Sequence, residues 1–121
     1  PTSTNGTFVA DNTTANELFK ISSEENITIK IDGSTVVLSL DSGSFGDDYI
    51  VLARASDIFT LYKNGVAQST TQTLAGTIDI DAIGIRRTDV NGFDGTIKEV
   101  QIYSTSNETL TANINARLST L

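Results

Sequence analysis

The chain has 121 residues and a formal net charge of -7, from 15 acidic and 8 basic side chains, enough for one domain that buries about two-thirds of its unfolded-chain surface. Its basic residues are scattered, with only Arg86 and Arg87 adjacent, which excludes the concentrated basic stripe that nucleic acid or an anionic membrane surface requires. With no Cys and no His, there is no disulfide framework, thiolate or imidazole metal site, or serine–histidine triad.

The first stretch, "PTSTNGTFVADNTTAN", is polar and turn-rich, with only Phe8 and Val9 to bury. Residues 1–16 are therefore expected to form an arm or a short edge strand, and residues 17–121 to form the domain. From Glu17 the pattern becomes β. "ELFKIS" sets Leu18 opposite Phe19 and Ile21, and "SSEEN" turns the chain. "ITIKID" puts Ile27, Ile29 and Ile31 on one face and Thr28, Lys30 and Asp32 on the other. Asp32-Gly33 is a hairpin signal, because the turn needs residues that tolerate positive φ. "TVVLSL" returns as the partner strand.

The loop "DSGSFGDD" leads into "YIVLARA", whose run from Tyr49 to Leu52 predicts burial on both faces. "DIFTLYKNG" follows with Phe59 and Leu61 toward the core, and Asn64-Gly65 begins another reversal. "VAQSTTQTL" reads as an exposed polar strand. "IDIDAIGIRR" brings apolar residues back at Ile78, Ile80, Ile83 and Ile85.

In "FDGTIKEVQIY", Phe93, Gly95 and Ile97 share one face, but Val100 and Ile102 follow out of phase. A β-bulge near Lys98-Glu99 would restore the strand, since one extra residue swaps the faces. Thr111 is then expected to cap a short helix carrying Ile114, Leu118 and Leu121. Such a helix is too short to stand alone and must dock on the sheet. Strands of this length joined by turns, with one terminal helix, predict an all-β, antiparallel two-sheet sandwich.

Three segments in order, "FTLYKNGV" (59–66), "IGI" (83–85) and "FDGTIKEVQIYSTSNETLTANI" (93–114), carry a resemblance. The pattern resembles the concanavalin-A-like, laminin-G-like jelly rolls. There a Tyr-x-Asn/Asp-Gly strand end precedes an Ile-Gly strand, a Phe-x-Gly-x-Ile-x-Glu-Val-x-Ile-Tyr strand and a short helix. The match spans roughly the last two-thirds of the chain, and Tyr49 stands where many relatives have Trp. The resemblance implies a jelly-roll fold and names no ligand.

Candidate sites are few. Glycoside hydrolysis needs two carboxylates flanking one bond, and Asp79 with Asp81 is the nearest approach, expected to be solvated sheet-face charge. Glu99 is expected to be structural, accepting hydrogen bonds or pairing with a nearby cation such as Arg54 or Arg86. "DVNGFDG" (89–95) alternates oxygen donors at Asp89 and Asn91 but breaks at Phe93. Some laminin-G-like domains bind calcium at the sandwich rim, where Asp47 or Asp48 would join Asp89 or Asn91; ordinary turn chemistry is the alternative. A sugar platform would have to draw on Tyr49, Tyr62, Tyr103 and Phe45. Sequons at Asn5, Asn12, Asn26 and Asn107 arise readily by chance in an Asn/Thr-rich chain.

No catalytic residue, metal ligand or cofactor site is assigned. The expected function is a non-enzymatic structural or binding module on a bacteriophage virion surface, as a capsid-decorating cement protein or a tail-fibre component. Its partners would be other virion proteins or further copies of itself. Pro1 is a residue after which initiator Met is readily removed, so a chain complete without an export signal is expected. The alternative is an extracellular bacterial adhesin or carbohydrate-binding module cut from a larger protein, with cell-surface or carbohydrate partners. Neither reading involves nucleic acid or a membrane.

Overall fold

The structure, a computed structural model, describes residues 6–11, 13–84, 92–104 and 107–121. It is an all-β sandwich of two antiparallel sheets with one C-terminal helix. The strands are β1 (Thr7–Ala10), β2 (Leu18–Ile21), β3 (Asn26–Ile31), β4 (Ser34–Ser39), β5 (Ile50–Ala55), β6 (Ile58–Lys63), β7 (Val66–Thr73) and β8 (Ala82–Ile83). The helix α1 is Glu108–Leu118. One sheet runs β4-β3-β2-β1-β8 and the other β5-β6-β7.

Turn chemistry sets the hairpins. Asp32 (φ 49°) and Gly33 (φ 81°) reverse β3 into β4, and Asn64 (φ 51°) and Gly65 (φ 82°) reverse β6 into β7. Both are two-residue loops with positive φ at each position, as the right-handed strand twist favours. A third, Ser56 (φ 49°) and Asp57 (φ 63°), joins β5 to β6 without glycine. The Arg54 guanidinium holds it, donating to Asp57 Oδ1 at 2.7 Å and to the Leu74 carbonyl at 2.9 Å.

The core lies between the sheets. Ile27, Ile29, Ile31, Leu38 and Leu61 are fully buried, as the period-two pattern predicts. Phe19 of one sheet meets Phe59 of the other edge-on, with centroids 6.2 Å apart. Burial also reaches the opposite faces. Leu18 projects away from Phe19 and is still buried. Val51 shares its face with Tyr62 rather than Leu61, and is buried where α1 lies against β5.

Residues 7–10 correct the expectation of an arm or edge strand. They form β1, paired on one side with β2 and on the other with β8, and Thr7, Val9 and Ala10 are buried. Two residues of β1, Thr7 and Val9, face adjacent residues of β2, Lys20 and Phe19, so Phe8 is bulged out of the ladder. The bulge turns the Phe8 ring onto Phe93, centroids 5.5 Å apart. A short polar segment thus enters the sheet because its few apolar residues sit where the ladder needs them.

The C-terminal third differs more. The expected strand through "IDIDAIGIRR" is only β8 in the described residues. Ile78 and Ile80 pack on the core from irregular chain, Ile83 is 57 % exposed, and Ile85 lies outside the described residues. The expected strand at 93–103, with its bulge at Lys98-Glu99, is not formed. Alternation specifies an extended chain, but a ladder also requires a free neighbouring edge. Among the described residues the backbone of this segment meets only Gly84, whose carbonyl accepts the Phe93 N–H at 2.7 Å, and no ladder follows. The helix begins earlier than expected. Asn107, not Thr111, is the N-cap, its Oδ1 accepting the Leu110 N–H at 2.9 Å, while Thr111 is buried against the sheet and Leu121 is exposed.

Candidate functional site

The expected carboxylate sites divide between structural use and solvent. In the loop after β4, Asp48 accepts the Gly46 N–H at 2.7 Å and the Asn64 side-chain amide at 2.7 Å, with the Lys63 ammonium 3.6 Å away. Partial burial raises its pKa, but these bonds and the Lys63 charge outweigh burial and hold the carboxyl below its ordinary value. Asn64 in turn accepts the Tyr49 N–H at 3.1 Å. Asp48 therefore fastens the loop to the β6–β7 turn. Asp47 is exposed, and the calcium partners Asp89 and Asn91 lie outside the described residues. Among the described residues, no group of three or more His, Cys, Asp or Glu could hold a metal ion.

Asp79 and Asp81 are exposed and precede β8 on irregular chain, so they are not sheet-face residues as expected. Asp81 donates its N–H to the Ala10 carbonyl at 3.1 Å. A carboxylate that sequence reasoning missed is Glu17, buried at the start of β2. It accepts the Asp32 N–H at 3.2 Å and the Thr14 hydroxyl at 3.1 Å, and so locks the β3–β4 hairpin to the chain before β2. Its signal was weak, because an acid before an apolar run reads equally well as solvated charge. Of the sequons, Asn26 accepts the Ser39 hydroxyl at 2.6 Å within the sheet and Asn107 caps α1. Asn5 and Asn12 lie outside the described residues.

The remaining feature is the segment leading to the helix. Glu99 pairs with Arg117 of α1, N–O 2.8 Å, rather than with Arg54, which is engaged by Asp57; Arg86 lies outside the described residues. Gln101 donates its side-chain amide to Glu99 Oε1, and the Tyr103 hydroxyl donates to Gln101 Oε1 at 2.9 Å. The Gln101 bond, helped by the weaker Arg117 bond and charge, outweighs the opposing effect of burial and holds the Glu99 carboxyl below its ordinary value. Contacts at i, i+2 are those of an extended chain, in which alternate side chains share a face. Glu99, Gln101 and Tyr103 form that row, and Val100 and Ile102 form the other.

Both rows reach solvent. Val100 is 40 %, Ile102 61 % and Tyr103 52 % exposed. No backbone hydrogen bond joins residues 95–103 to any described residue. An extended stretch without a strand partner is a form that accepts another strand by edge pairing, and among the described residues this one has none. Among the aromatic residues expected to serve a sugar, Phe45 is buried in the core and Tyr49 and Tyr62 are half-buried, which leaves Tyr103 as the most exposed tyrosine. No family model, no curated protein and no solved structure matches this chain, so its resemblance to laminin-G-like domains rests on the three sequence segments alone.

Proposed function

We propose that this chain is a non-enzymatic structural or binding module of a bacteriophage virion surface, acting as a capsid-decorating protein or a tail-fibre component. The observation that supports the reading is the exposure of Val100, Ile102 and Tyr103 on segment 95–103, which has no strand partner among the described residues. Exposed apolar residues gathered on one segment favour association over chemistry. The carboxylates of Glu17, Asp41, Asp48 and Glu99 are engaged in holding loops and helix in place. The reading assigns no catalytic residue and no cofactor.

The test is to look for the chain in gradient-purified particles from its source by mass spectrometry, and to ask whether Ile102→Lys reduces its incorporation. Absence from particles, or incorporation indifferent to Ile102→Lys, would sink the proposal. One observation favours a second reading, an extracellular adhesin or carbohydrate-binding module. The Tyr103 ring is exposed beside the amide and carboxylate row of Gln101 and Glu99, the pairing of aromatic face and planar polar groups that sugars use. Glycan-array binding lost in Tyr103→Ala would move the function there.

A further inference from the structure

We propose that the Asn64-Gly65 turn is a site of spontaneous deamidation, held in check by the Asp48 carboxylate. The hairpin itself imposes the pair. A two-residue reversal of β6 into β7 needs positive φ at both positions, and Asn64 (φ 51°) and Gly65 (φ 82°) supply it. Space requires the glycine too, because a Cβ at position 65 would lie 3.3 Å from the Tyr49 hydroxyl. With no side chain beside it, the Gly65 nitrogen is unscreened, which makes Asn-Gly the pair most prone to cyclise. That nitrogen, its proton taken by a solvent hydroxide, bonds to Asn64 Cγ. The Cγ–Nδ2 bond then breaks, and Nδ2 leaves as ammonia with a proton from water, which restores the hydroxide. Water opens the resulting cyclic imide at either carbonyl, leaving aspartate or isoaspartate at position 64.

In the folded chain both ends of the Asn64 amide are occupied. Its Oδ1 accepts the Tyr49 N–H at 3.1 Å, and its Nδ2 donates to Asp48 Oδ1 at 2.7 Å. Cyclisation needs the Gly65 nitrogen to approach Cγ from outside the amide plane, and these two bonds fix that plane on residues 48 and 49. The bond to Asp48 is the stronger, since its acceptor is ionised. That carboxylate is held in turn by the Gly46 N–H at 2.7 Å and the Lys63 ammonium at 3.6 Å. Deamidation undoes the clasp. Either product puts a carboxylate where Nδ2 was, so a donor is lost and like charges meet at Asp48. Isoaspartate also lengthens the backbone of a loop whose length sets the register of β6 and β7. The change is one-way, so the turn keeps time, and its expiry loosens the hold of the β6–β7 turn on the loop after β4.

The full chain, incubated at mildly alkaline pH with folding followed by circular dichroism, is digested and residue 64 read by mass spectrometry, with isoaspartyl methyltransferase labelling for the rearranged product. Asn64 should deamidate readily in denaturant and slowly in the folded wild type. Asp48→Ala should speed the folded reaction by about tenfold or more, as the loss of one hydrogen bond to an ionised acceptor implies. If that variant does not fold, Asp48→Asn keeps the size, removes the charge and should move the rate in the same direction. Asn107→Ala loosens the helix cap instead and should leave the Asn64 rate unchanged, which separates loss of the clasp from general loosening. Asn64→Asp, the product made directly, should melt below the wild type. Equal rates in the folded and denatured wild type overturn the inference, and so does a folded Asp48 variant that is no faster than the wild type or that Asn107→Ala matches. An Asn64→Asp chain that melts with the wild type overturns the loss of the clasp.

Discussion

The Asp41 carboxylate accepts the Ser69 backbone N–H at 2.9 and 3.0 Å and the Ser69 hydroxyl at 2.5 Å, joining the exit of β4 to β7. Asp41 returns the bond with its own N–H, donated to Gln68 Oε1 at 2.9 Å. β7 is irregular here. Residues 68–70 lie opposite Leu61 alone, and the bulge leaves Ser69 turned away from β6. β4 and β7 are the edge strands of their sheets, so this clasp closes one side of the sandwich and occupies part of an edge that would otherwise invite pairing.

The clasp makes stability depend on pH. The Ser69 hydroxyl, then its N–H, holds the Asp41 carboxyl below its ordinary value, against a smaller opposing effect of burial. A carboxyl lowered in the folded state stabilises the fold above its unfolded value of about 4 and loses that contribution as pH falls through the folded value. Asp41→Asn should therefore melt below the wild type at neutral pH, and the gap should close in acid below about pH 4. Thermal melts at several pH values check this, and a gap that is the same in acid as at neutrality refutes it.

Residues 7–10 should be indispensable to folding. Val9 is buried opposite Phe19, β1 is the strand that β8 pairs with, and the Gly6 carbonyl accepts the Ile21 N–H at 2.9 Å. Val9→Asp should cost about 3 kcal/mol by burying an unpaired charge, and deletion of residues 1–14 should leave an unfolded chain by circular dichroism. A folded truncation with native melting would return this segment to the status of an arm.

The Ser56-Asp57 turn offers a stabilising change. Both residues hold positive φ without being glycine, a conformation that costs on the order of 1 kcal/mol per residue. Ser56→Asn together with Asp57→Gly should relieve it and raise the melting temperature, less whatever the lost Arg54 contact contributed. If Asp57→Gly alone lowers the melting temperature while Ser56→Asn raises it, the Arg54 contact outweighs the strain at Asp57.

The helix cap should act locally. Asn107→Ala removes the acceptor for the Leu110 N–H and should weaken α1 by about 1 kcal/mol. Because α1 contacts the sheets through β5, the loss should appear first as faster amide exchange across residues 108–118. Exchange that accelerates equally in β3 and β6 would mean the helix unfolds only with the whole domain.

The strands from β2 to β7 were legible in the chain because their information is local. Ile27, Ile29 and Ile31 alternate cleanly, and Asp32-Gly33 and Asn64-Gly65 supply positive φ. The Ser56-Asp57 turn carries no glycine to announce it and is held by an arginine from the preceding strand. What was not legible depends on which edge is free to pair. β1 has two buried faces and four residues, so only its neighbours β2 and β8 make it a strand. Segment 95–103 alternates with a break of phase after Ile97 and has no strand partner among the described residues, for a period of two dictates extension and says nothing of a partner. The same holds for charge. The sequence places an acid at Glu99 and cations at Arg54 and Arg117, and it is the docking of α1 that selects Arg117, 18 residues away. Side-chain periodicity is a property of the chain, whereas pairing is a property of the edges that packing leaves open.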